Sequence, residues 1–228
     1  MNEIVKDYWD RRSSEYASSY QKYLDEEISL LKNIYAGYLP EQTSLNVLDI
    51  GTGHGIQAIA FRELGHKVTA LDFSAGMLER ASNEAGKRHL EINFVQGDAQ
   101  NLPFEDASFE VVTSRYILWT LTNHTKFFDE CRRVLCNGGT FFAIDGEWYK
   151  QTAADDTASP NEVLCQMPLH RGNTPEKVSE YLLASGFDYI SRKDVRELGL
   201  FMEKYDLERY KEHNSSAVPY VISAVKKD

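Results

Sequence analysis

The sequence predicts an α/β fold, a doubly wound sheet that is mostly parallel, ends in an antiparallel strand and carries helices on both faces. Three observations predict it. Runs of apolar and β-branched residues, "NVLDI", "KVTALDFS", "INFVQGDA", "FEVVTSRYILW" and "TFFAIDGEW", alternate with segments of helical periodicity. The first run passes directly into the glycine turn "GTGHG" and then into a helical pattern, the order of a βαβ unit. Strands that alternate with helices of this length imply a parallel sheet with right-handed crossovers.

From Val5 to about Tyr38 apolar and aromatic residues recur at helical spacing, among them Tyr8, Trp9, Tyr16, Tyr20, Tyr23, Ile28, Leu31 and Tyr35, until Pro40 ends the run. Two helices with a break near Ser18 and Ser19 are expected. Residues 1–44 are therefore read as an N-terminal helical cap, either a mobile lid or a permanently docked helix pair, and residues 45–228 as the sheet domain. "GIQAIAFRELG" is a helix stopped by Gly65, and "AGMLERASNEAGKR" and "TKFFDECRRVL" are the next two. "NGG" is read as a turn before the fifth strand. The stretch from Tyr149 to Asn173 is irregular. "TPEKVSEYLLASG" is a helix with Thr174 as N-cap and Pro175 in its first turn. "FDYISRKDV" and "VPYVISAVKK" complete the sheet as antiparallel partners, with a short helix between them.

Bulk properties exclude several classes. The 228 residues carry a net charge of -10 without a long basic run, so nucleic acid is not an expected partner. No apolar stretch approaches the roughly 20 residues of a membrane span and the first residues are charged, so no membrane and a cytoplasmic location are expected. Three cysteines without a C-x-x-C pair argue against a disulfide framework, and no cluster shows metal-ligand spacing, so no metal is expected.

The chemistry gathers at the strand ends, because ligands of such sheets bind outside the carboxyl ends of the strands. Gly51, Gly53 and Gly55 are each two apart, and Ile56 holds the place of the third glycine of a dinucleotide fingerprint. Asp49 just before the turn would repel a pyrophosphate, and no lysine or arginine between Val47 and Ala58 offsets it. A ligand with cationic groups suits the turn better. Asp72 ends the second strand at the interval where an acidic residue meets a ribose, or else caps the following helix. Phe73 and Met77 offer apolar walls for a purine, or core. Asp98 and the Ala99 N–H end the third strand, as purine contacts or a turn, and Arg115 ends the fourth.

The ordered set "VLDIGTGHG", "LDFS", "GDAQNLPFEDASFEVV" and "RRVLCNGGTFF" resembles the class I S-adenosylmethionine-dependent methyltransferases, closely over Asn46 to Asp145. The resemblance implies a Rossmann-like fold and S-adenosylmethionine as cofactor. Asp49, Gly51, Gly53 and Gly55 would surround its methionine part, Asp72 its ribose, and Asp98 with Ala99 its adenine. "VLCNGG" departs from the lysine-proline pair frequent in the family. "YWDRRSSEYASSY" and "SRYILWTL" resemble small-molecule members with a helical cap, in which a tyrosine, here Tyr16, closes over the cofactor. Asparagine is frequent there at the place of Tyr116. The implied partner is a small-molecule methyl acceptor, with the protein a monomer or homodimer. Asp145, Glu147, His124 and His170 are the candidate bases, Asp145 and His170 foremost, and His124 also suits a helix start. The alternative is a cofactor-binding protein with a regulatory or structural role and no turnover.

Overall fold

A computed structural model describes residues 23–39, 44–147, 168–169, 173–205 and 218–227. Most of the expected cap, including Tyr16, lies outside them, as does His170. The described chain forms seven strands: β1 (Asn46–Ile50), β2 (Lys67–Asp72), β3 (Asn93–Gln96), β4 (Phe109–Arg115), β5 (Leu135–Asp145), β6 (Phe187–Asp194) and β7 (Tyr220–Lys226). Six α-helices accompany them: α1 (Leu24–Ala36), α2 (Ile56–Glu63), α3 (Ala75–Lys87), α4 (His124–Val134), α5 (Pro175–Ala184) and α6 (Arg196–Lys204). The strand order is β3-β2-β1-β4-β5-β7-β6. β1 pairs in parallel with both β2 and β4, Leu48 standing opposite Thr69 and Val112. β7 runs antiparallel between β5 and β6, with Phe142 opposite Ser223 and Arg192 opposite Ile222. This is the Rossmann-like, mostly parallel sheet that the alternation of strands and helices predicts.

Side-chain chemistry fixes the helix starts. Ser74 Oγ accepts from the Met77 N–H at the start of α3, Asn123 Oδ1 from the Lys126 N–H at α4, and Thr174 Oγ1 from the Lys177 N–H at α5, where Pro175 follows as expected. One expectation is corrected. "NGG" is no turn preceding β5 but a bulge within it: the register to β4 jumps from the Phe109–Leu135 pair to the Val111–Thr140 pair, and Gly138 takes a φ of 77°.

Two apolar layers flank the sheet. One gathers α1, α2 and α6 around Leu31, Tyr35, Phe61 and Phe201. The other gathers α4 and α5 around Phe127, Phe128, Phe141 and Phe187, whose rings meet edge-on or tilted. α1 is docked onto the sheet domain. Leu31 and Tyr35 are fully buried, and the Tyr35 ring stacks on Phe61 at 4.3 Å. Its rim pairs with two other helices and the turn after α3 through Lys32–Glu63, Glu26–Lys204 and Asp25–Arg88.

Candidate functional site

The carboxyl ends of β1 to β4 open onto one side of the sheet, and the loops there form the site. β1 ends in Asp49 and Ile50, and the chain then turns through Gly51, Gly53 and Gly55 with φ of 70°, 55° and 80°. Two of these demand glycine for different reasons. A side chain on Gly51 would strike Ile117, in the loop after β4, whereas one on Gly53 would meet none of the described residues. Among the described residues the turn is thus closed toward Ile117 and open at Gly53. Gly55 begins α2 without a side-chain cap, so the first N–H groups of the helix are uncapped by side chains.

Asp49 is buried, with 1% of its surface exposed. Thr52 Oγ1 donates to its Oδ2 at 2.6 Å and Gln57 Nε2 to its Oδ1 at 2.5 Å, while the Tyr35 hydroxyl donates to Gln57 Oε1. Burial pushes the Asp49 carboxyl up to about 6, against the pull of those donors and of the Arg115 charge. His54, inside the turn, is driven down to about 4 by burial and by the charges of Arg80 and Arg115, so it is neutral at pH 7.

Asp72 supports the same turn, its Oδ2 accepting from the Gly53 N–H at 2.8 Å and its Oδ1 from the Ser74 N–H at 2.9 Å. It therefore ties the turn to Ser74, the residue that caps α3. Met77 is buried in the first turn of α3, and Phe73 is half-buried with its carbonyl accepting from Gln96 Nε2. Asp98 Oδ1 accepts from the Gln100 N–H at 2.8 Å, and Ala99 beside it is buried.

Arg115 ends β4, but its guanidinium is directed to α1, where Nη1 meets Glu27 Oε1 at 2.5 Å. It reaches Asp49 and His54 through its charge alone. Tyr116 then adopts a φ of 60°, a left-handed conformation that asparagine tolerates far better than tyrosine, which explains the family's asparagine. Asp145 is fully buried, its Oδ2 accepting from the Leu118 N–H at 3.2 Å and its Oδ1 from the Gly146 N–H at 2.9 Å. In this arrangement it braces the loop after β4. His124 is buried at the start of α4, its Nε2 2.6 Å from the Leu118 carbonyl and its ring stacked on Tyr181. Glu147 is exposed two residues past the end of β5.

Similarity to known proteins runs along the same elements. A methyltransferase domain family matches residues 48–143. An uncharacterised methyltransferase of Bacillus subtilis is 38% identical over 100 residues, 43% of this chain and 40% of that protein. The malonyl-[acyl-carrier protein] O-methyltransferase of Geobacter sulfurreducens is 30% identical over 192 residues, 80% of this chain and 68% of the relative. The chain belongs to the class I S-adenosylmethionine-dependent methyltransferases. The fold agrees with those of solved family members. Phosphoethanolamine N-methyltransferase 2 of Haemonchus contortus, solved with S-adenosylmethionine, superposes with a TM-score of 0.73 at 21% identity, covering 98% of this chain and 60% of that one. The matched stretch of this methyltransferase family member spans 40% of the length of the Bacillus relative.

The site also holds groups that motif reading does not single out. Thr52, Gln57, Tyr35 and Glu27 are all buried polar side chains tied to Asp49 or Arg115. Gln57 left a trace in the sequence, being the one polar side chain in the apolar run "GIQAIAF", where a buried amide needs partners.

Proposed function

We propose that the chain binds S-adenosylmethionine at the carboxyl ends of β1 to β4 and transfers its methyl group to an N, O or S atom of a small molecule. Asp49 carries the reading. Its carboxylate is buried behind the open Gly53 turn, neutral groups donate to both of its oxygens, and the nearby cation, Arg115, is already paired with Glu27. A cationic ligand supplies the missing charge, and the cofactor carries an ammonium and a sulfonium where a dinucleotide carries a pyrophosphate. The residues present fit the cofactor.

When bound, the cofactor supplies an electrophilic methyl carbon on a sulfonium leaving group. The protein's part is placement. Asp49 and the glycine turn receive the methionine end, Asp72 the ribose hydroxyls, and Asp98 with the Ala99 N–H the adenine, between Phe73 and Met77. The loop from Tyr116 to Leu118, braced by Asp145, bounds the acceptor side, and Arg115 acts from behind the turn. His170, and Tyr16 in a cap of residues 1–44, complete the reading as base and lid. Holding acceptor, methyl carbon and sulfur in line contributes about 7–11 kcal/mol in favourable cases. The net charge of -10 suits a small acceptor better than a polyphosphate chain.

Calorimetry with S-adenosylmethionine tests the site, and release of S-adenosylhomocysteine over a panel of small amines, alcohols, thiols and acids tests the transfer. Loss of a charge-assisted hydrogen bond in Asp72→Ala weakens binding by about 1.5–3 kcal/mol. Unchanged affinity in both Asp72→Ala and Asp98→Ala would show that the cofactor lies elsewhere. Binding without release across the panel would leave a cofactor-binding protein.

A further inference from the structure

Four buried side chains from four segments form one line. The Tyr35 hydroxyl of α1 donates to Gln57 Oε1 of α2, Gln57 Nε2 donates to Asp49 Oδ1 at the end of β1, and Thr52 Oγ1 of the turn donates to Asp49 Oδ2. We propose that Tyr35 is a positioning residue for the cofactor's ammonium group, acting through Gln57, which it holds with the amide N–H2 toward Asp49. The inference rests on the proposed cofactor site and adds a residue from a helix that comes before β1 in the chain.

Donor and acceptor chemistry fixes the orientation of the Gln57 amide. An ionised carboxylate accepts only, so Asp49 requires the N–H2 end of the Gln57 amide, which turns the amide carbonyl toward α1. That carbonyl is buried and needs a donor, and Tyr35 provides the hydroxyl. The Tyr35 ring cannot easily swing away, because it is fully buried and stacked on Phe61. Without the hydroxyl, the amide gains by rotating its carbonyl away from its buried place, and each such rotation aims an oxygen at Asp49. Among the described residues, the charged groups around Asp49 are Arg115 of β4, shared with Glu27 of α1, and Asp72 of β2, with His54 neutral in the turn. The donors from Gln57 and Thr52 favour the ionised form against burial and the Asp72 charge, so losing one moves the Asp49 titration upward.

The experiment measures S-adenosylmethionine affinity by calorimetry between pH 5 and pH 8 for the parent chain, Tyr35→Phe, Gln57→Met and the double variant, with thermal melts alongside. Tyr35→Phe is expected to weaken affinity at pH 7 about threefold to tenfold, the range of one neutral hydrogen bond. It also moves the acid limb of binding to higher pH. In the Gln57→Met background the same change has no further effect, because the route runs through Gln57. Equal losses in both backgrounds, or a loss that is uniform across pH, would reduce Tyr35 to a packing residue and overturn the proposal. An unchanged affinity in Tyr35→Phe would also overturn it while leaving the cofactor reading intact. A parent that binds no S-adenosylmethionine overturns both. Thr52→Val, which deletes the other donor to Asp49, is the second variant and is expected to shift the acid limb in the same direction.

Discussion

Arg115 and Glu27 form an ion pair with Nη1 2.5 Å from Oε1, their side chains only 12% and 6% exposed, so the end of β4 is fastened to α1. The sites of the two residues lie 88 positions apart in the chain. Removing one partner strands a buried charge. Arg115→Met is therefore expected to cost about 3–5 kcal/mol, read from a urea denaturation midpoint. The double variant Glu27→Leu/Arg115→Met recovers most of that loss, since two apolar side chains replace a pair that is costly to desolvate. A double variant as unstable as the single one would show that the pair holds α1 through its specific geometry.

Asp49 makes stability and binding oppose each other. Its carboxyl is carried from the ordinary range up to about 6 in the folded protein, so the unfolded chain releases this proton more readily than the folded one. The sign follows: above pH 6 the ionised, buried carboxylate costs the ligand-free protein on the order of 3 kcal/mol, and this cost disappears as pH falls through 6 toward 4. Asp49→Asn removes it at every pH. That variant is expected to melt higher than the parent at pH 7 without cofactor, to show a flatter stability profile between pH 7 and pH 5, and to lose cofactor affinity. Scanning calorimetry at several pH values checks all three.

Gly51 and Gly53 separate folding from binding. Gly51→Ala meets Ile117 in a left-handed backbone, and overpacking there costs about 1–3 kcal/mol beyond the conformational strain. Gly53→Ala pays only the strain of an L-residue at positive φ, about 1–2 kcal/mol, because its methyl group meets none of the described residues. The chain with Gly53→Ala is expected to stay folded and to bind S-adenosylmethionine far more weakly than its stability loss explains. Far-ultraviolet circular dichroism with calorimetry on the same samples distinguishes the two. Undiminished affinity in Gly53→Ala would place the ligand away from the turn.

The elements of the fold were readable because their signals are local. Thr174 with Pro175 marks a helix start, "NVLDI" before "GTGHG" marks a strand and turn, and Asp49, Asp72 and Asp98 stand at strand ends in chain order. What escaped is nonlocal. Glu27 looks like one of several acidic residues on α1, and only the folded sheet places it against Arg115. Asp145 reads as a candidate base or a structural cap at a strand end, and only the fold shows that it accepts from the N–H groups of Leu118 and Gly146. The "NGG" bulge shows the same limit in reverse, since glycines that favour a turn also let a strand carry extra residues without leaving its ladder.

The placement of β7 between β5 and β6 governs the order in which this chain can fold as it leaves the ribosome. β5 emerges early, yet the neighbour on its outer side is made only after α5, β6 and α6. Until then the apolar row from Phe141 to Ile144 lies along an unpaired edge, a template for association with other nascent chains. β6 waits beside it without a partner in the sheet, and its exposed Arg192, Lys193 and Asp194 keep that waiting strand soluble. Until Tyr220 and the rest of β7 are made, the five parallel strands thus stand assembled with the β5 edge uncovered and β6 unjoined to them.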